Sequence, residues 1–125
     1  MNIVKTSLND SVIIAPKVFG DDRGFFLETF QTSRYANLAK IYLPFVLDNH
    51  SRSLKGVLRV LHFQKTKPQG NLVRVVRGEV YDVAVDIRED SSTFGHWEGV
   101  TLSEDNKKQF WVPPGFAHGF VVLSD

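Results

Sequence analysis

Two of the four histidines stand beside residues whose types and spacing suit proton-transfer chemistry. His62 follows Arg59 by three positions, and His118 ends the turn-like stretch Pro-Pro-Gly-Phe-Ala-His at residues 113–118. An imidazole titrates near neutral pH and can take or return a proton, while a guanidinium fork matches the oxygens of a phosphate. The two segments therefore predict a pocket that removes a proton from a carbon acid beside an anion-binding group.

The same histidines have a second interpretation as ligands of a metal ion. Metal-binding jelly rolls of the cupin type use a His-x-His pair, a glutamate a few residues later and a distant Pro-x-Gly-x-x-His. The last element is present as Pro113, Gly115 and His118, but Gln64 replaces the second histidine and Gln69 stands where the glutamate would be. Neutral amides are poor ligands for transition metals compared with imidazole and carboxylate. The spacing therefore predicts a site without metal.

Short apolar runs separated by turn residues predict the elements that position these histidines. Strands are expected at residues 12–14, 18–19, 25–30, 57–64, 72–76, 80–87, 95–102, 109–112 and 119–123. The run at 80–87 alternates, which places Asp82 on the polar face of its strand. A short helix is expected over residues 32–40, capped by Thr32 or Ser33 and with Tyr35, Leu38 and Ala39 turned inward.

The number and spacing of these strands are typical of an all-β antiparallel fold. We expect a double-stranded β-helix, the cupin-type jelly roll, with one short N-terminal helix and a single domain over residues 1–125. Simple alternation puts Arg59 and His62 on opposite faces of their strand. They can share a pocket only if a β-bulge inserts one extra residue between them.

The composition restricts the functions that this chain can have. Of 125 residues, 15 are basic and 14 acidic, and no basic stripe is visible, so we expect no nucleic-acid partner. The absence of cysteine excludes thiolate catalysis and disulfides. No apolar run approaches the roughly 18 residues of a membrane span, and the first residues lack the apolar stretch of a signal peptide. A cytoplasmic protein is therefore expected.

A series of motifs in register identifies a resemblance to a known family. They are Gly-Asp-Asp-Arg-Gly-Phe-Phe at 20–26, Asp-Asn-His-Ser at 48–51, Val-Leu-Arg with Leu-His-Phe-Gln at 57–64, Pro-Gln-Gly at 68–70, the strand 78–86 and Pro-Gly-Phe-Ala-His-Gly-Phe at 114–120. Together they resemble the dTDP-4-dehydrorhamnose 3,5-epimerase family, the metal-free cupins of deoxysugar biosynthesis. The resemblance extends over essentially the whole chain.

The resemblance implies epimerisation at C3 and C5 of dTDP-4-dehydro-6-deoxy-D-glucose to dTDP-4-dehydro-L-rhamnose. The 4-ketone acidifies the neighbouring hydrogens, so no cofactor is needed. A base removes one proton to give an enolate, and an acid on the other face returns a proton with inverted configuration. By the resemblance His62 is the base, although a histidine buried for packing is the alternative.

The resemblance also implies a set of pocket residues, each of which has a structural alternative. Arg59 would bind the diphosphate, with Asn49 and Ser51 as nucleotide or phosphate contacts and with Asn71 and His118 lining the sugar pocket. Arg23, Phe26 and Glu28 would reach the partner's nucleotide in a homodimer formed through the N-terminal strands, residues 1–45. Asp82 could orient a histidine. The alternatives are a solvent-facing arginine, turn-forming polar residues, a turn histidine, a core phenylalanine and a solvated aspartate.

The sequence also departs from the family pattern at several positions. Val60 replaces a glycine suited to a bulge, Leu47 replaces a nucleotide-contacting glutamine, and Asn71 replaces a lysine that steadies the enolate oxygen. The family's general-acid tyrosine and the aspartate partner of its base lie beyond residue 125. Three hypotheses follow: a C-terminally shortened piece of an epimerase, a short relative with partial chemistry, or a dTDP-sugar-binding or assembly module without catalysis.

Overall fold

A computed structural model describes residues 1–62 and 69–124, apart from the side chains of Val60 and His62. The end of the strand expected at 57–64, with Gln64, lies outside the described residues. In chain order the elements are β1 (Asn2–Lys5), β2 (Val12–Ala15), β3 (Val18–Asp21), β4 (Gly24–Leu27), α1 (Thr32–Ala39), β5 (Leu58–His62), β6 (Asn71–Arg74), β7 (Glu79–Asp86), β8 (Trp97–Ser103), β9 (Gln109–Val112) and β10 (Phe116–Val122).

Two antiparallel sheets form the body of the molecule. One has the strand order β1-β2-β9-β6 and the other β5-β10-β7-β8, each with four strands, while β3 and β4 form a separate hairpin. The inner faces of the two sheets bury a shared core that includes Ala84, Leu102, Phe110, Val112 and Phe116. This sandwich with its short helix confirms the predicted all-β jelly roll. Within the described residues, no helix is long and apolar enough to cross a membrane.

Helix α1 covers the outer face of the first sheet. Tyr35 and Ala39 of the helix pack with Ile14, Ile41 and Trp111 in a second core. Because β9 has one sheet face on the shared core and the other under the helix, all four of its residues are buried. Apolar residues on both faces of this short strand are what such a position requires.

Some predicted boundaries and faces were wrong. The helix cap is Gln31, whose side chain accepts a hydrogen bond from the Arg34 amide, rather than Thr32 or Ser33. Leu38 is half exposed, because a helix of eight residues buries the i, i+4 pair Tyr35 and Ala39 and turns position 38 outward. Strand β10 begins at Phe116 instead of residue 119, since its whole length pairs with β7.

A buried ion pair ties the loop after β7 to the N-terminal loop. The Asp86 carboxylate is fully buried and accepts hydrogen bonds from Arg88 Nε at 3.0 Å and Ser91 Oγ at 2.6 Å, and also from Thr93. Arg88 reaches Asp10 with Nη1 at 2.9 Å. Burial alone raises the pKa of Asp86, but these hydrogen bonds outweigh it and hold the pKa well below its usual range.

The same arginine supports the turn that leads into β10. Its guanidinium lies 4.7 Å from the centre of the Phe116 ring. Gly115 has φ 92°, and a Cβ there would lie 2.8 Å from Arg88 Cγ, so the turn requires glycine. The ion pair therefore fixes the approach to His118, two residues beyond Phe116.

We expect this network to make the fold sensitive to acid. The pKa of Asp86 is lower in the folded than in the unfolded chain, so its contribution is present above about pH 4 and is lost as the pH falls below that value. A carboxylate held in this way contributes on the order of 2 kcal/mol. Urea unfolding at pH 7 and pH 3 should show a smaller pH-dependent loss for Asp86→Asn than for the parent. The exposed Asp90→Asn is the control, and equal losses in both variants would contradict the assignment.

Candidate active site

A buried carboxylate and an imidazole meet on the inner face of the second sheet. His118 is paired with Ala84 and Phe120 with Asp82 in the register between β10 and β7, so these positions share one face. Asp82 Oδ1 lies 2.6 Å from His118 Nε2, with side-chain exposures of 0% and 17%. Asp82 Oδ2 is also buried and has no hydrogen-bond partner within the described part of the chain.

The burial of Asp82 reverses the prediction for the two faces of β7. Asp82, Ala84 and Asp86 are buried, whereas Tyr81, Val83 and Val85 on the opposite face are half-buried. Polarity alone suggested the other arrangement. The physical reason is that each of the two buried aspartates has a partner that is or can become cationic. Asp82 contacts His118 and Asp86 contacts Arg88, and such a partner makes a buried carboxylate tolerable. Asp82 is therefore no solvated strand residue.

The electrostatics of this pair favour a shared proton. Burial raises the pKa of Asp82, and the hydrogen bond and charge of His118 lower it only in part. Since Nε2 is engaged by Asp82, Nδ1 is the ring nitrogen that this bond leaves free. The pair can therefore direct the other ring nitrogen of His118 at an anion that forms during a reaction.

Strand β5 brings residue 62 opposite this pair through a bulge. Its backbone register pairs His62 with His118 and Arg59 with Phe120, so three steps along β5 match two along β10. The extra residue gives positions 59 and 62 the same parity, as a shared pocket requires. The bulge forms although position 60 is valine. The predicted role of the His62 imidazole falls on a side chain outside the description and stays a prediction.

Arg59 lies at the exposed edge of the same face. Its Nη2 donates a hydrogen bond to Ser53 Oγ at 3.3 Å. Asn49 and Ser51 are exposed in the irregular segment that precedes β5. The structure therefore adds Ser53 to the candidate phosphate contacts that were predicted from the sequence. The Ser-x-Ser spacing with Ser51 is the sequence feature that could have indicated it.

Asn71 belongs to the opposing sheet at the same end of the sandwich. Its register partner is Val112, an inner-core residue, so the position faces the sheet that carries His118. Val112 and Phe116 flank the turn at residues 113–115, which joins β9 to β10. The fold thus brings positions 62, 71 and 118 to one end of the sandwich, and Asn71 is exposed there.

Three predicted nucleotide contacts lie apart from this cluster, on or next to the β3–β4 hairpin. Arg23 is exposed and pairs with Asp21 at 2.7 Å. Phe26 is 72% exposed, which excludes its interpretation as a core residue of this chain. The strand expected at 25–30 ends at Leu27, so Glu28 lies beyond β4, where it pairs with Arg34.

Comparison with known proteins identifies the family. Residues 5–125 match the family model described as dTDP-4-dehydrorhamnose 3,5-epimerase. The chain belongs to the dTDP-4-dehydrorhamnose 3,5-epimerase family. It is 58% identical over 126 aligned residues to the epimerase of Shigella flexneri and 56% identical to that of Escherichia coli K12, covering 100% of this chain and 70% and 68% of those proteins.

The solved structures of this epimerase family agree with the fold. The epimerase from Legionella pneumophila in complex with dTDP-4-keto-L-rhamnose superimposes with a TM-score of 0.94 at 60% identity. That alignment covers 98% of this chain and 65% of the Legionella chain. The chain thus spans about two thirds of the length of its epimerase relatives.

Proposed function

We propose that the protein catalyses epimerisation at C3 and C5 of dTDP-4-dehydro-6-deoxy-D-glucose to dTDP-4-dehydro-L-rhamnose. The observation that carries the proposal is the Asp82–His118 pair with position 62 directly opposite it and Arg59 on the same face. Relatives that are 56–58% identical over the chain's full length carry this activity in their names. The Legionella relative holds the 4-keto sugar nucleotide itself.

The proposed chemistry requires one base and one acid on opposite faces of the sugar. His62 takes the proton at C3 or C5, and the electrons of that C–H bond form the enolate of the 4-ketone. The proton on His62 passes to solvent, and a solvent-derived proton delivered to the other face restores the ketone with inverted configuration at the carbon. The ketone supplies the acidity, so the step consumes no oxidant and needs no cofactor.

Among the described residues of the site, His118 is the group assigned to stabilise the enolate oxygen. Preorganised donors directed at developing charge contribute strongly in a site that excludes water. The buried Asp82 carboxylate keeps the imidazole oriented. Asn71, which faces the same end of the sandwich, can donate a neutral hydrogen bond, roughly half as strong as a charge-assisted one. His118 therefore provides most of the proposed electrostatic stabilisation of the enolate oxygen.

The diphosphate is assigned to the exposed edge beside β5. Arg59 offers a fork of donors that matches phosphate oxygens, and Ser53 restrains that fork from one side. Asn49 and Ser51 in the neighbouring segment supply further polar contacts. An exposed edge suits the charged part of a ligand whose sugar enters between the sheets.

The nucleotide is assigned to the hairpin of a second copy in a homodimer. Strands β3 and β4 pair only with each other among the described strands, and an isolated two-stranded hairpin is marginally stable in water. Phe19 and Phe26 leave large apolar surfaces exposed, 56% and 72%. Both features support a hairpin that is completed by a partner, with Phe26 offering a stacking face for the base. Sedimentation analysis should find a dimer.

Deuterium exchange separates this enzyme from a binding module. Incubation with the dTDP-4-keto sugar in D₂O should place deuterium at C3 and C5, followed by NMR. The alternative is a dTDP-sugar-binding module without catalysis. Binding of dTDP without deuterium incorporation would support that alternative. A cytoplasmic location stays a prediction.

A further inference from the structure

We propose that Lys107 is a positioning residue that clamps the β3–β4 hairpin onto its own subunit and thereby presents the Phe26 face outward. The clamp is argued from contacts within the chain. Its consequence for nucleotide binding rests on the proposed function, in which the outer face serves the partner subunit.

The two faces of the hairpin have different surroundings. The register pairs Phe19 with Phe26 and Gly20 with Phe25, so Phe25 and Phe26 point to opposite sides. Phe19 and Phe26 form the outer face, and Phe25 on the inner face is only partly covered, with 63% of its surface exposed. The inner face lines a cleft against the first sheet and the turn before β9. Its lining residues are Phe25, Leu27, Arg74, Val75, Val76, Glu104, Lys107 and Gln109.

Lys107 contacts the middle of the hairpin across this cleft. Its Nζ lies 4.2 Å from the centre of the Phe25 ring and donates a hydrogen bond to the Glu104 carbonyl at 2.7 Å. A cation over a ring face is attracted by the negative potential of the ring. The carbonyl orients the ammonium, so this side chain bridges the body of the subunit and the hairpin.

The turn that carries Lys107 is built to hold it in place. Lys107 has φ 54°, a conformation that residues other than glycine rarely adopt, and its amide donates to the Ser103 carbonyl at 3.1 Å. Ser103 and Asn106 exchange hydrogen bonds between amide and side chain at 3.1 and 2.9 Å. Asn106 Nδ2 also donates to the Thr101 carbonyl at 2.9 Å. The ammonium therefore projects from a fixed backbone, which lowers the entropy lost on contact.

A second anchor holds the base of the hairpin. The Thr29 carbonyl accepts a hydrogen bond from Gln109 Nε2 at 2.8 Å. It also lies 2.8 Å from Tyr35 Oη, whose hydroxyl has a second acceptor in Gln109 Oε1 at 2.6 Å. Contacts at Thr29 and at Phe25 hold the hairpin at two points. Of these two contacts, loss of the one from Lys107 leaves the basal one, and the Phe26 face is then held less firmly.

Hydrogen exchange of the hairpin amides tests the clamp without any ligand. Lys107→Gln should speed exchange at residues 18–27 by about two- to fivefold, the factor that corresponds to one exposed cation–π contact. Lys107→Arg retains a cation and should restore slow exchange. Lys108→Gln changes the neighbouring exposed lysine and should have no effect. Equal exchange in Lys107→Gln and Lys108→Gln would overturn the proposal.

A double-mutant cycle and a binding measurement complete the test. Phe25→Leu should raise the exchange rate of the hairpin amides by the same factor as Lys107→Gln. The double variant should exchange no faster than either single variant, because both substitutions remove the same contact. Additive effects would overturn the clamp. The affinity for dTDP should fall by a similar factor in Lys107→Gln and Phe25→Leu but not in Lys108→Gln, and an unchanged affinity in a chain that binds dTDP would overturn the positioning role. A parent chain that binds no dTDP would contradict the proposed function, while the exchange measurements still decide the clamp.

Discussion

Replacement of His62 by alanine is expected to slow deuterium incorporation at C3 and C5 by on the order of 10²–10⁴-fold, the usual contribution of one positioned general base. Position 62 lies opposite His118 in the register of β5 and β10, at the end of the sandwich that also carries Asn71. Alanine removes the only proton acceptor assigned to the C–H bond and leaves Arg59 in place. Therefore kcat should fall while KM changes by less than about threefold, as NMR-monitored exchange at varied substrate concentration would show.

The control for this variant is an exposed histidine outside the cluster. His96→Ala removes an imidazole from the loop before β8 and should leave the exchange rate unchanged. A rate for His62→Ala within a few-fold of the parent would remove His62 from the mechanism. Loss of rate in both variants would point to a general effect on the fold instead of a base.

Replacement of Asp82 by asparagine is expected to lower the exchange rate by on the order of 10²–10³-fold, comparable to the loss of one donor to a developing oxyanion. The amide keeps the shape of the side chain but removes the carboxylate that contacts His118 Nε2. Single-turnover kinetics should place the loss in kcat. The imidazole resonances of His118, followed by NMR, should shift in the variant because its hydrogen-bond partner changes. Unchanged His118 resonances with an unchanged rate would contradict the assignment.

The same substitution should not destabilise the fold, and this separates a functional role from a structural one. Burial raises the pKa of Asp82 above its unfolded value, so the folded chain binds the extra proton and stability decreases as the pH rises from about 4 through the raised pKa. At neutral pH the carboxylate therefore carries an unfavourable burial term, which asparagine lacks. The free energy of unfolding at pH 7 should stay equal or increase, measured by urea titration. A loss of several kcal/mol would indicate a structural ion pair.

A second cation should partly replace the lost charge. Asn71→Lys in the Asp82→Asn background places an ammonium on the face opposite His118, where charge-assisted bonds are about twice as strong as neutral ones. We expect it to recover about tenfold in rate. Lys substitution at the exposed Asn37 on helix α1 is the matched control and should recover none. Equal recovery of the rate with lysine at position 37 and at position 71 would contradict a local role of position 71, because any added positive charge would then have the same effect.

The bulge in β5 depends on strand pairing that the local sequence does not encode. Alternation put Arg59 and His62 on opposite faces and made a bulge the condition for a shared pocket. The register confirms the bulge, although Val60 offered no local signal for it. Bulges are decided by pairing with the neighbouring strand, here β10, and that pairing joins residues almost 60 positions apart.

The amino-acid sequence by itself determined the strand-rich pattern, the short helix, the glycine turn before His118 and the family motifs, because turn chemistry and side-chain alternation are local properties. It could not determine which face of an alternating strand is covered. Only the tertiary structure decided that Asp82 is buried against His118, that Ser53 meets Arg59 and that Phe25 and Phe26 serve different sides of one hairpin. Those outcomes depend on which distant strands become neighbours, since burial and partner choice are non-local and override the polarity of a single residue.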